Sequence, residues 1–101
     1  MKEVIDINKI YSETIIEETV TYFLVQRKFY KSLCEEELIW HRDKEDREIF
    51  LIEGDGWYLQ KENELPQLMC KDSILKIPKE TWHRIINKNG VNLVINLRKY
   101  K

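Results

Sequence analysis

From residue 38 onward the apolar positions come in short runs separated by turn residues. The runs at 38–42, 48–53, 57–61, 74–77, 83–87 and 91–97 are rich in β-branched and aromatic side chains, the composition of strands. Turn signals fall between them at Gly54-Asp55-Gly56, Glu64-Leu65-Pro66, Pro78-Lys79 and Asn87-Lys88-Asn89-Gly90. In the last run Leu93, Ile95 and Leu97 share one face, while Asn92, Val94 and Asn96 share the other. The spacing predicts an all-β sandwich or barrel. The first third is less clear. Ile7, Ile10, Tyr11, Ile15 and Ile16 fit one face of a short N-terminal helix, whereas residues 18–25 read as a strand that residues 28–31 extend.

At 101 residues the chain is long enough for one core, and nothing in it marks a linker, so residues 1–101 are read as a single domain. Apolar residues make up 43 % and charged residues 35 %, a globular balance. Seventeen basic and eighteen acidic residues are well mixed and sum to a net charge of −1, which gives no electrostatic footprint for nucleic acid. No apolar run is long enough to span a bilayer and no signal-peptide pattern opens the chain; a cytoplasmic protein is the expectation. Cys34 and Cys70 lack CxxC spacing, which excludes a zinc ribbon, and read as small buried hydrophobes. The terminal Arg98, Lys99, Tyr100 and Lys101 read as a solvated tail.

One repetition carries chemistry. Trp-His-Arg occurs at 40–42 and again at 82–84, and its two copies contain every histidine of the chain. On a strand each histidine faces away from its flanking tryptophan and arginine, so two paired strands can aim both imidazoles into one pocket. Arg42 and Arg84, facing the other way, then belong to an edge or dimer contact, and Trp40 and Trp82 read as interface or core anchors.

The surrounding residues resemble the cupin superfamily of double-stranded β-helix, or jelly-roll, barrels. Its second motif, G(X)5PXG(X)2H(X)3N, is matched in register by Pro78, His83 and Asn87, with Asp72 and Glu80 where the family has glycine. Its first motif, G(X)5HXH(X)3-4E(X)6G, is matched by His41, with Asp43 in place of the second histidine and Glu48 at a permitted spacing for the glutamate. If Gly54 is taken as the closing glycine, the glutamate position falls on Arg47 instead, and Glu35 stands at the opening glycine. The resemblance covers roughly residues 35–97.

Such a resemblance implies a divalent metal inside the barrel on His41, Asp43, Glu48 and His83. Imidazole with carboxylate suits Fe, Mn, Ni or Zn, and open coordination positions serve an oxygenase or isomerase. The reading is therefore a metal-dependent enzyme acting on a small polar molecule, with Gln60 and Arg47 as candidate substrate contacts and a homodimer as the expected assembly. Two alternatives stand beside it. One is a barrel that binds a small ligand or a protein without catalysis. The other is a metal-free epimerase which, by resemblance to the sugar-nucleotide epimerases of this superfamily, would use His41 as general base and Tyr58 as general acid. In the epimerase Asp43 or Glu48 would tune or orient His41; without a metal or such a role, the dense run Asp43-Lys44-Glu45-Asp46-Arg47-Glu48 reads as a charged surface turn.

Overall fold

The computed structural model describes residues 4–5, 11–30 and 40–101. Among these described residues nine strands carry the fold: β1 (Val4–Ile5), β2 (Tyr11–Glu18), β3 (Tyr22–Phe29), β4 (Arg47–Glu53), β5 (Trp57–Lys61), β6 (Gln67–Leu68), β7 (Ile74–Ile77), β8 (His83–Asn87) and β9 (Leu93–Tyr100). Six form one antiparallel sheet in the order β1-β2-β3-β9-β4-β7, and three form a second in the order β6-β5-β8.

Alternation along each strand decides what lies between the sheets. Val25 and Phe29 of β3, Ile49 and Leu51 of β4, Leu75 and Ile77 of β7, and Leu93, Ile95 and Leu97 of β9 point inward from the large sheet. Trp57 and Leu59 of β5 meet them from the small one. Trp57 is fully buried, packs its ring 6.2 Å from that of Phe29, and donates its indole N–H to the Val91 carbonyl at 2.8 Å. That bond removes the cost of burying the only polar atom of the indole.

The helix expected near the N-terminus is corrected over residues 11–18, which form β2; Ile7 and Ile10 lie outside the described residues. Tyr11 to Glu18 pair with β3 across a turn in which the Thr19 hydroxyl accepts from the Thr21 and Tyr22 amides at 3.2 and 3.1 Å. The register shifts between Ile15 and Glu17, a bulge that places Ile15 and Ile16 both at the surface. That bulge imitates helical spacing in the sequence. Among the described residues no helix is long and apolar enough to cross a membrane.

The C-terminal tail is also corrected: Arg98, Lys99 and Tyr100 continue β9, paired to β3 and β4. Cys70 is exposed rather than buried, and Cys34 lies outside the described residues. The runs at 48–53, 57–61, 74–77 and 83–87 fall within one residue of β4, β5, β7 and β8, and β9 starts two residues later than expected. The run expected at 18–25 is broken by the turn at 19–21, so that β3 begins at Tyr22. The run at 38–42 forms only an isolated bridge at His41 among its described residues, and the short β6 had no signal of its own.

Two turns bear on the site. Gly54 has φ +122°, and a Cβ there would stand 2.7 Å from the Asn92 carbonyl oxygen, so the position excludes every side chain. Glu80 has φ +61°, the left-handed conformation for which glycine is the economical residue. It follows Pro78 and Lys79, and its place in the motif is where cupins have glycine.

Candidate metal centre

The two Trp-His-Arg segments meet antiparallel at His41 and His83. Each histidine donates its amide to the other's carbonyl, at 3.0 Å from His41 and 2.8 Å from His83, a hydrogen-bonded pair that sends both imidazoles to one side. The ring centroids are 4.3 Å apart. On the opposite side the register crosses the flanking residues: Arg42 lies over the Trp82 ring at 5.3 Å and Arg84 over the Trp40 ring at 5.0 Å. A self-complementary tripeptide thus supplies the imidazole pair on one face and two cation–π stacks on the other.

Asp43 completes the cluster. Its carbonyl accepts from the Glu80 amide at 2.7 Å, and the Asp46 carboxylate accepts from the Lys79 amide at 2.7 Å, so the loop before β4 is pinned to the Pro78 turn. The strained Glu80 backbone therefore helps to set the aspartate. Asp43 Oδ2 reaches 3.2 Å from His83 Nε2 and 3.3 Å from an Arg47 guanidinium nitrogen. Neither approach is a well-aligned hydrogen bond, and Oδ2 is buried with none. One ligand atom from each of His41, Asp43 and His83 lies within 4.8 Å of the others.

His83 is buried, and its Nδ1 is 2.8 Å from the Thr81 carbonyl. A carbonyl only accepts, so Nδ1 carries a proton, and in a neutral ring Nε2 then presents its lone pair. Asp43 Oδ2 lies 3.2 Å from that nitrogen but off the axis of its lone pair. Two ligand atoms that converge without bonding to each other are placed to share a cation. The 3.2 Å separation matches the edge of roughly 3.0–3.4 Å between neighbouring ligands on an ion with bonds near 2.1 Å. A backbone acceptor on the far ring nitrogen is also the usual support of a ligating histidine. The donor set fits a divalent ion.

Burial pushes the Asp43 carboxyl toward higher pKa, but contact with His83 and the nearby charges of Arg47, His83 and His41 outweigh it and leave it below the usual carboxylate range. The group is an anion at neutral pH, ready to ligate.

Glu48 is not brought to this cluster. Ile49 and Leu51 are buried, so Arg47 shares their inward face and Glu48 points to the outer face of the large sheet. There it accepts from Tyr100 Oη at 2.7 Å and from Arg98 at 2.9 Å, which together hold its pKa down against burial. The register that closes on Gly54 is thus the one adopted, with an arginine at the glutamate position. Tyr58 and Gln60 lie on the face of β5 opposite Trp57 and Leu59 and away from the cluster. Gln60 is engaged by Arg84 at 3.0 Å and by the Glu64 carbonyl at 3.1 Å. Nor is the acidic run a plain surface turn, since the side chains of Asp43 and Arg47 are only 15 % and 12 % exposed.

Sequence reasoning missed Thr81, which acts through its backbone, and Glu45, which accepts from Arg47 at 2.6 and 2.9 Å. It also missed Glu13, Arg27 and Lys99, inward charges whose signal was their phase with Val25 on β3 and Leu97 on β9.

No protein-family model matches the sequence, and no curated protein matches it significantly. Solved structures do. KdgF from Halomonas sp. superposes with a TM-score of 0.76 at 18 % identity, over 100 % of this chain and 89 % of its own. An RmlC-like cupin family protein with a double-stranded β-helix fold from Methanocaldococcus jannaschii gives 0.70 at 14 %, over 99 % and 89 %. Iron(II) HppE gives 0.73 at 10 %, over 97 % of this chain and 55 % of that one. The chain has the cupin fold, and it carries within that fold a His/His/Asp cluster capable of holding a divalent metal.

Proposed function

We propose that the protein is a metal-dependent cupin enzyme of oxygenase or isomerase type, acting on a small polar molecule at a mononuclear site held by His41, Asp43 and His83. The observation that carries this is the buried Asp43 Oδ2, without a hydrogen-bond partner and 3.2 Å from His83 Nε2, in a cluster with His41. Two histidines and one carboxylate leave coordination positions open, and a metal there would supply Lewis-acid or redox chemistry. The chain's own residues do the rest: Thr81 fixes the His83 tautomer, the Pro78 turn fixes Asp43, and Arg47 fills the fourth-ligand position with a cation that orients Asp43. The likeness to an iron(II) protein agrees with this reading.

The Arg47 contact also favours a second reading, a metal-free binding barrel in which the guanidinium neutralises Asp43. Metal content per chain separates the two. On protein purified without an affinity tag, wild type should carry close to one equivalent of divalent metal, lost in His41→Ala and His83→Ala. No uptake even after reconstitution would leave the binding barrel. Reconstitution also separates the reaction types, because an oxygenase consumes O2 with Fe(II) alone whereas an isomerase runs anaerobically with redox-inert Zn(II).

A further inference from the structure

Besides the histidine pair, the described residues bring three cations and three carboxylates together on the inner side of the large sheet and the loop before β4. Arg27 comes from β3, Arg47 from β4 and Lys99 from β9; Glu13 comes from β2, and Asp43 and Glu45 from the loop before β4. Both guanidiniums are committed. Arg27 donates to Glu13 at 2.6 Å and lies over the Tyr11 ring at 4.0 Å, while Arg47 forks onto Glu45 and reaches Asp43.

Lys99 differs. Its closest carboxylate oxygen is Glu13 Oε1 at 3.9 Å, beyond hydrogen-bond range and already taken by Arg27. Its side chain is only 22 % exposed. An ammonium has three donors to satisfy, and one largely withdrawn from water without an acceptor is costly. Burial is the main cause that lowers its pKa, and Arg27 and Arg47 act in the same sense against the carboxylates. Such a group favours an anion arriving from solution.

Its position connects that anion to the metal centre. Lys99 is the direct cross-strand partner of Arg47, the residue that touches Asp43. We infer that Lys99 anchors a carboxylate of the substrate, which makes the substrate class small carboxylic acids. This rests on the metal reading for its charge balance. Among the described residues three cations offset three carboxylates, so a divalent ion on His41, Asp43 and His83 leaves two positive charges in excess there, and an anionic ligand offsets them where a neutral one does not. An ammonium in only a long ion pair with Glu13, its neighbouring guanidiniums already paired, suits a carboxylate better than a phosphate, which recruits free guanidinium forks.

The test loads wild type, Lys99→Met and Lys99→Arg with Co(II) and titrates each with succinate, succinamide and inorganic phosphate by calorimetry. All three proteins should take up equal cobalt. Succinate should bind wild type and weaken by about ten-fold or more in Lys99→Met, with Lys99→Arg between them. Succinamide should bind all three alike and more weakly than succinate binds wild type. Succinate bound equally by wild type and Lys99→Met, or succinamide bound as tightly as succinate, would overturn the inference, and tighter binding of phosphate would overturn the carboxylate assignment. Should the methionine variant not fold, Lys99→Gln replaces it. Absence of cobalt uptake would defeat the metal reading alone: the same titration on chelator-treated protein then decides for Lys99 if Lys99→Met loses succinate, and against it if nothing changes.

Discussion

His83 Nε2 and Asp43 Oδ2 stand 3.2 Å apart with no aligned hydrogen bond between them, while the Thr81 carbonyl lies 2.8 Å from the other ring nitrogen. Every element of the site converges on that contact. The antiparallel meeting of two Trp-His-Arg segments places the imidazoles, and the Pro78 turn holds the loop that carries the carboxylate.

Asp43→Asn keeps the shape and removes the charge, so it should abolish metal uptake while leaving the fold intact. It should also change the acid limb of stability. The Asp43 pKa is lowered in the folded state, so its stabilising contribution is fully present above about pH 5 and is lost as pH falls through roughly 4 and below. Urea midpoints from pH 7 to pH 3 should fall less steeply for Asp43→Asn than for wild type; parallel curves would contradict the charge environment described.

Glu48→Gln should leave metal content unchanged, since Glu48 faces the opposite side of β4. It should lower stability by about 1 kcal/mol, through weakened bonds from Tyr100 and Arg98 on a partly exposed face. Metal loss in this variant would mean that Glu48 reaches the interior after all.

The placement of that glutamate shows where the sequence stops being readable. Ile49, Phe50, Leu51 and Ile52 form a continuous apolar run with no alternation, so the face of β4, and with it the choice between Arg47 and Glu48, had no local signal. The histidine pair was legible because the repeated tripeptide fixes both the pairing and the phase. Tyr58 and Gln60 were ambiguous for the same reason as Glu48: Trp57 and Leu59 compete with them for the inward face, and only the packed core decides. Lys99 was hidden because a charged tail resembles a solvated one until β3 and β4 are seen to flank it.

Glu80→Gly should be neutral or stabilising by up to about 1 kcal/mol. Relief of the left-handed backbone, roughly 1–2 kcal/mol, is partly offset by the greater freedom of glycine in the unfolded chain. The Arg42–Glu80 ion pair at 3.4 Å is half exposed and contributes little. A urea midpoint clearly below wild type would mean that the glutamate side chain supports the turn in a way the backbone geometry does not convey.

A double-mutant cycle on Trp40 and Arg84 should return a coupling of about 0.5–1 kcal/mol, from a stack on the exposed face of the histidine pair. The pair Trp40 and Arg42, neighbours in sequence without a stack between them, should return a coupling near zero. Equal couplings would contradict the crossed register.

The most direct test of the metal centre is anomalous diffraction from crystals soaked in Mn(II) or Zn(II), with data collected at the absorption edge of the metal used. A single strong peak bonded to His41, Asp43 and His83 Nε2, at about 2.0–2.3 Å from each, is the predicted result. No peak at that position, with His83 Nε2 and Asp43 Oδ2 still in direct contact and Arg47 the sole cation on the carboxylate, would contradict it.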